Sequence, residues 1–241
     1  MLVLSISTST PTASVALVEG DHVLAELSRD DQRGHAEHLF GLIDAAFERA
    51  GRARADVELV ACDVGPGSFT GVRIAVASAK GIAVGLGVPL AGVVSLEAMA
   101  AHARALAQGD AALSALEDRA LALALIDAKK GELYASVYDG DAELMPPCHI
   151  AAADVPSRVA EIVARRPFIS VADVSAFADL VPGARRSLVL CPSAAWIGRI
   201  AAARGGADAA EIVPMYVRAP DAVPSASNSA AAPAFDMLPH R

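Results

Sequence analysis

Aromatic residues supply only 4% of this 241-residue chain and charged residues only 20%. With so few rings, the core has to be built from aliphatic and small side chains packed at close range. The three cysteines, Cys62, Cys148 and Cys191, lie far apart and form no CxxC or Cys/His cluster. That excludes a disulfide framework and a structural zinc site, and suits a reducing compartment such as the cytoplasm. There is no HExxH, which speaks against a zinc peptidase, and no GxxxxGK[ST], which excludes a P-loop. Basic charge is also short: 20 Lys and Arg against 28 Asp and Glu leave a formal charge of -8. Gripping a phosphate backbone takes clustered cations, so any nucleic acid would have to be held by another chain. The opening MLVLSISTST lacks a basic flank and reads as strand and turn, not as a signal peptide. Residues 72–94 are long enough to span a bilayer, but Arg73, Lys80, glycines and Pro89 interrupt them, and they read as a soluble helix, turn and strand.

What is present is apolar sequence: 54% of residues are hydrophobic, enough to fill a core and to exclude disorder over most of the length. Apolar runs at 2–6 and 13–18, and an alternating one at 22–27, predict three antiparallel strands. Leu39, Leu42, Ile43, Ala46 and Phe47 then recur at helical spacing over 35–50, and Gly51 closes the run. A strand at 57–64 enters the turn Gly65-Pro66-Gly67-Ser68-Phe69-Thr70-Gly71, and an Ala/Val-rich helix follows over 72–85. A strand at 90–94 and a helix at 96–106 complete a βββαβαβα order. After a composition shift at 108–118, strands at 121–127 and 132–138 flank the tight turn Ala128-Lys129-Lys130-Gly131, so a second half opens on a hairpin like the first. A helix at 155–165, strands at 168–171 and 188–191, a helix at 192–204 and an extended segment at 212–217 finish it. The chain thus divides into residues 1–108 and 109–218, and the Ala/Pro/Ser-rich 219–241 reads as a disordered tail.

The strand, turn and helix at 57–85 carry the strongest local signal for chemistry, because backbone N–H groups at a helix N-terminus can cradle a phosphate. The spacing is GxGxxxG, however, and no acidic residue ends the next strand at Val93, so the dinucleotide fingerprint fails too. The favoured reading is that Gly65 and Gly67 permit unusual dihedrals and Gly71 permits close contact with another helix or a partner. Ser68 and Thr70 read as helix caps, since no His or Asp pattern completes a triad. His35 and His38 share a helix face without a third ligand and read as surface histidines near an interface. Ala75, Ala77, Ala79 and Gly81 keep the helix slim, leaving one side for the sheet and another for a second chain. Leu39, Leu42 and Phe47 could add a neighbouring apolar patch.

Taken in order, the string from Val64 through Gly65-Pro66-Gly67-Ser68-Phe69-Thr70-Gly71-Val72-Arg73 to Ile74, then Lys80-Gly81, then Ile126-Asp127-Ala128-Lys129-Lys130-Gly131-Glu132-Leu133-Tyr134, then Pro214-Met215-Tyr216-Val217-Arg218, resembles the TsaB (YeaZ) family. The resemblance runs from Met1 to about Arg218. It implies an α/β, actin-like fold of two similar halves, shared with sugar kinases and heat-shock chaperone ATPases. It also implies a non-catalytic subunit of the tRNA threonylcarbamoyladenosine machinery, docked on a larger TsaD-type transferase that holds the metal. A TsaE-type ATPase joins the same assembly, tRNA is met only through the complex, and the chain alone forms a homodimer. ATP and a metal then belong to the partner subunits, and this chain by itself binds no cofactor.

The docking residues implied by the resemblance are Leu39, Leu42 and Phe47 on the first helix, with Gly67, Ser68, Phe69, Thr70, Gly71, Val72, Arg73, Ala75, Val76 and Ala79 on the turn and second helix. Ser7 stands where actin-like ATPases, and many family members, keep an Asp that positions magnesium, and a neutral hydroxyl cannot replace that charge. Ser7, Thr8 and Ser9, with Asp127 as the only comparable carboxylate, then form a degenerate nucleotide site. Read as a turn residue, Asp127 hydrogen-bonds the backbone of Lys129 or Lys130. The competing function is a small-molecule kinase or ATPase of the same fold, against which Ser7 speaks.

Overall fold

The computed structural model describes residues 1–30, 35–108, 120–164 and 166–218. Two five-stranded sheets organise them. In the first, β1 (Leu2–Ser7), β2 (Thr12–Glu19) and β3 (His22–Asp30) form an antiparallel meander, while β4 (Leu59–Asp63) pairs with β1 and β5 (Leu90–Val93) with β4, both in parallel. The second sheet repeats this. There β6 (Leu121–Lys129), β7 (Glu132–Asp139) and β8 (Ala142–Ala151) make the meander, and β9 (Phe168–Ala172) and β10 (Arg186–Val189) extend it in parallel. The orders β3-β2-β1-β4-β5 and β8-β7-β6-β9-β10 are one topology used twice. The central strands β1, β4 and β9 are buried along their whole length, which is why they read as unbroken apolar runs.

Among the described residues six helices cover the sheets: α1 (His35–Ala50), α2 (Phe69–Leu86), α3 (Ser95–Gln108), α4 (Val155–Val163), α5 (Ser175–Ala178) and α6 (Ala194–Arg204). On one face of the first sheet, Leu4, Ile6, Val15 and Leu17 meet Leu39, Ile43 and Phe47 of α1 and Val72, Ala75 and Ala79 of α2. The opposite face is closed by α6, whose Ala194, Ile197 and Ala201 pack on Val3, Ala16 and Val18. That helix follows the second sheet in the chain. In return α3, which follows the first sheet, packs Leu96, Met99 and Ala103 on Ala122, Ala124, Ile169 and Val171 of the second. Each half lends a helix to the other. The two lent helices meet where His102 stacks on Trp196 at 5.7 Å between ring centroids and Arg204 pairs with Glu97. Outside the second sheet, α4 supplies Val155 and Val159.

Several boundaries differ from expectation for local reasons. Helix α2 starts at Phe69, earlier than 72, because Ser68 Oγ accepts the Gly71 N–H at 3.3 Å and caps it. Ser193 likewise caps α6, so that helix starts at Ala194. Strand β8, for which the sequence gives no expectation, contains Pro146 and Pro147. They fall in the register shift between Met145 and Cys148, where neither has a ladder partner and a missing N–H costs no ladder bond. The four residues of α5 are too few for a periodic signal. The last parallel strand is Arg186–Val189 instead of 188–191, and α4 stops at Val163. Residues 212–217 join neither sheet and are held across the first half by the Met215 N–H donating to the Val64 carbonyl at 2.7 Å. The expected tail at 219–241, and all of the 108–118 junction beyond Gln108, lie outside the described residues.

Helix lending makes the halves dependent on each other. A fragment of residues 1–108 would leave Val3, Ala16 and Val18 uncovered and α3 without its sheet, so it should give no cooperative denaturant transition, where the full chain gives one. A cooperative transition in the fragment would contradict the packing described.

Candidate functional site

Parallel pairing sets Ile6 opposite Cys62, so the next residues of the two strands, Ser7 and Asp63, meet at the C-terminal edge of the sheet. Ser7 Oγ donates to Asp63 Oδ2 at 2.7 Å, the Ser9 N–H to the same oxygen at 3.3 Å, and the Thr8 N–H to Oδ1 at 3.4 Å. Ser95, which opens α3, adds a longer contact from its Oγ at 3.5 Å. Asp63 is fully buried, as are Ser7 and Thr8, and burial pushes its carboxyl above the usual range while the hydroxyl and N–H donors pull the other way. The sequence reading placed Asp127 as the only comparable carboxylate and missed Asp63. The signal was there: an acidic residue closing the apolar run 59–62 just before the glycine turn. Next to it, Cys62 is no nucleophile, because burial and the Asp63 charge push its thiol up and keep it protonated.

The turn after β1 rests directly on the start of α2. A Cβ at Gly67 would collide with the Ser9 carbonyl, and one at Gly71 with the Thr8 carbonyl. Thr8 Oγ1 donates to the Gly71 carbonyl at 2.6 Å, and the Ser68 N–H to the Ser9 carbonyl at 2.6 Å. Gly71 therefore permits close approach to a turn of its own chain, where the sequence suggested another helix or a partner. Gly65 does need its freedom, with φ at +100°. Ser68 caps α2 as expected, whereas Thr70 sits exposed in the first turn.

The expected docking residues separate into two groups. Leu39, Phe47, Val72, Ala75, Val76, Ala79 and Gly71 are buried inside the chain, and Leu42 packs against the same core, so these eight are not a docking surface. Their helical spacing marks the side that faces the sheet. The outward side of α2 instead presents Phe69, Thr70, Arg73, Ala77, Gly81, Val84 and Gly85, recurring about every four residues. Phe69 is 57% exposed, Val84 72%, and Phe40 of α1 56%. Both helices cover the same sheet face, so their outer sides look the same way. Arg73 lies at one end of this surface, its guanidinium 3.7 Å from the centroid of the Phe69 ring and its Nε donating to Tyr216 Oη at 2.8 Å. Tyr216 belongs to the terminal segment, whose Arg218 reaches the Ala128 carbonyl and Glu132, both at 3.3 Å, in the second half.

Asp127 behaves as a turn residue: its carboxylate accepts the Lys129 N–H at 2.8 Å and pairs with Lys129 Nζ at 2.8 Å. Its own N–H donates to Asp173 Oδ1 at 2.9 Å, and in the repeated topology β6 holds the place in the second sheet that β1 holds in the first. The carboxylate that hydrogen-bonds Ser7, Thr8 and Ser9 is Asp63. His38 is half-buried on α1, and among the described residues no group of three His, Cys, Asp or Glu side chains could hold a metal ion. Helix α2 is long and apolar enough to cross a membrane by composition alone, yet a third of it is buried against the sheet.

These features define a class: an actin-like chain of duplicated sheets whose first turn, after β1, is filled by its own side chains. Structures under 25% identical share that fold alone. Residues 23–174 match the family model described as TsaD, tRNA N6-adenosine threonylcarbamoyltransferase. The chain belongs to that family and, within it, to the TsaB (YeaZ) members. It is 34% identical to an uncharacterized protein of Mycobacterium tuberculosis over 93% of this chain and 95% of that one. It is 32% identical to the tRNA threonylcarbamoyladenosine biosynthesis protein TsaB of Bacillus subtilis over 57% of this chain and 55% of that protein. The structure of YeaZ from Pseudomonas aeruginosa superimposes with a TM-score of 0.73 at 27% identity, covering 89% of this chain and 99% of that one.

Burial raises the Asp173 carboxyl to about 6, with the nearby Asp127 charge adding to the effect. Its folded value thus exceeds the unfolded value of about 3.9, the native state holds the extra proton, and this contribution to stability is lost as pH rises from about 4 through 6. Asp173→Asn keeps an acceptor for the Asp127 N–H. Relative to its difference from wild type at pH 4, it should gain roughly 2 kcal/mol at pH 7 in denaturant titrations. A difference independent of pH would contradict this assignment.

Proposed function

We propose that the chain serves tRNA threonylcarbamoyladenosine biosynthesis as a docking subunit, binding a TsaD-type transferase through the outer side of α1 and α2 and carrying no transfer chemistry itself. The observation that carries this reading is the exposed surface itself. Phe69 and Val84 stand out of it with Ala77, Gly81 and Gly85 between them on α2, the helix that holds the family string, and Phe40 and Gly41 add to it from α1. Large apolar side chains rising among small ones let a partner's backbone come close while aromatic anchors fill its gaps. The buried turn at Ser7–Thr10 supports the non-catalytic part, because it leaves no gap where nucleotide phosphates would reach the β1 turn. On this reading ATP and metal act in the TsaD-type and TsaE-type partners, tRNA is held by the complex in the cytoplasm, and the same surface pairs two copies of the chain when the transferase is absent.

Because Gly71 and Ala75 are internal, variants there would test folding and not docking. Val84→Glu and Ala77→Arg lie in the open. Each should reduce co-purification with the TsaD-type subunit by about tenfold or more, equivalent to ~1.4 kcal/mol, with an unchanged thermal midpoint. Full complex formation by both variants would sink the proposal. The kinase or ATPase alternative makes the opposite demand on the isolated chain. Calorimetry with ATP and magnesium is expected to show no binding tighter than about millimolar, and micromolar binding would favour the alternative.

A further inference from the structure

A buried carboxylate is expected to have a cation beside it, and among the described residues none is paired with Asp63. Its partners are instead a set suited to an oxyanion. Two successive backbone N–H groups, of Thr8 and Ser9, converge on it with the hydroxyls of Ser7 and Ser95. Successive N–H groups of this kind form the nests that hold phosphate in other proteins. We propose that the turn at Ser7–Thr10 is an oxyanion nest whose anion is supplied from within, the Asp63 carboxylate occupying the place that an inorganic phosphate or a nucleotide phosphate would take. Two further observations support this. The Ser68 N–H donates to the Ser9 carbonyl and the Gly71 N–H to Ser68 Oγ, so two of the donors at the start of α2 are already engaged within the chain. And the second half repeats the device, with Asp173 one residue past the end of β9 accepting the Asp127 N–H at 2.9 Å, just as Asp63 at the end of β4 accepts N–H groups following β1. A strand-end Asp thus accepts backbone N–H groups from the neighbouring strand's end in each half, and in the first half two successive donors converge on it.

The experiment removes the internal anion and offers an external one. Full-length wild type and Asp63→Ala are heated in increasing inorganic phosphate, with chloride at matched ionic strength as the control. Wild type should show the same midpoint in both salts. Asp63→Ala should melt several degrees lower in chloride and recover part of that loss as phosphate rises through the millimolar range. A phosphate response in wild type as large as in the variant, or none in the variant, overturns the proposal. If Asp63→Ala does not fold, the exchange settles it. Ser7 Oγ and Asp63 Oδ2 are 2.7 Å apart on neighbouring strands, so Ser7→Asp with Asp63→Ser returns a carboxylate to the same spot. The exchanged chain should fold with a midpoint nearer wild type than Asp63→Ser alone and show no phosphate response. An exchanged chain no better than Asp63→Ser overturns the proposal.

Discussion

The carbonyls of Thr8 and Ser9 touch the backbone of Gly67 and Gly71, and no side chain can come between them. This contact fixes where α2 begins and how it is rotated. With Gly71 and Val72 against the turn and sheet, helical geometry carries Ala75, Val76, Ala79 and Ala83 inward. It then carries Phe69, Arg73, Ala77, Gly81 and Val84 outward. The exposed surface is therefore set by the buried turn. A larger residue at either glycine would force the helix off the sheet and turn the outward row with it. The Asp63 carboxylate holds the other side of the same contact: the Ser9 N–H that it accepts shares a peptide plane with the Thr8 carbonyl, which points the opposite way, toward Gly71 of α2.

Most of the architecture was legible in the sequence because it follows from burial alone. Apolar runs marked β1 and β2, helical spacing marked α1, and an Ala/Val-rich stretch marked α2. The doubled hairpin opening announced two similar halves. What stayed hidden depends on contacts between distant residues. The small side chains of α2 left one side for the sheet and another for a second chain without saying which was which, and the resemblance put Val72, Ala75, Val76 and Ala79 at a partner although they are core. Asp63 was overlooked because its role exists only once parallel pairing puts it beside Ser7, fifty-six positions away. Strand β8 went unread because its Pro146-Pro147 pair is acceptable only in the register shift that pairing with β7 creates there.

Duplication and exchange have opposite consequences. The repeated topology gives each half its own meander and parallel extension, enough in form for two small domains. The helices do not respect that division, since α6 closes the first sheet and α3 closes the second. The core is correspondingly poor in rings and rich in Ala. Slim helices can lie deep between two sheets, and Ala194, Ala195 and Ala201 let α6 sit close to Val3 and Val18. The low aromatic content is thus a condition of the architecture: bulky rings at these positions would hold the lent helices away from the sheets they complete.

The few aromatics that remain on the surface are concentrated where docking is proposed, and their arrangement bears on its energetics. Binding costs the free energy of immobilising long side chains, and Arg is among the more expensive. In the free chain Arg73 is already held between the Phe69 ring and the Tyr216 hydroxyl. Tyr216 is in turn held by a segment fastened to Val64 at Met215 and to the second half at Arg218. The guanidinium therefore meets a partner with much of its ordering completed in advance, and its remaining donors can be used at the interface with less loss of entropy. The motif Pro214-Met215-Tyr216-Val217-Arg218 makes physical sense in these terms. It lies far from the glycine turn in sequence, yet it braces the residue at the end of the helix that the turn begins.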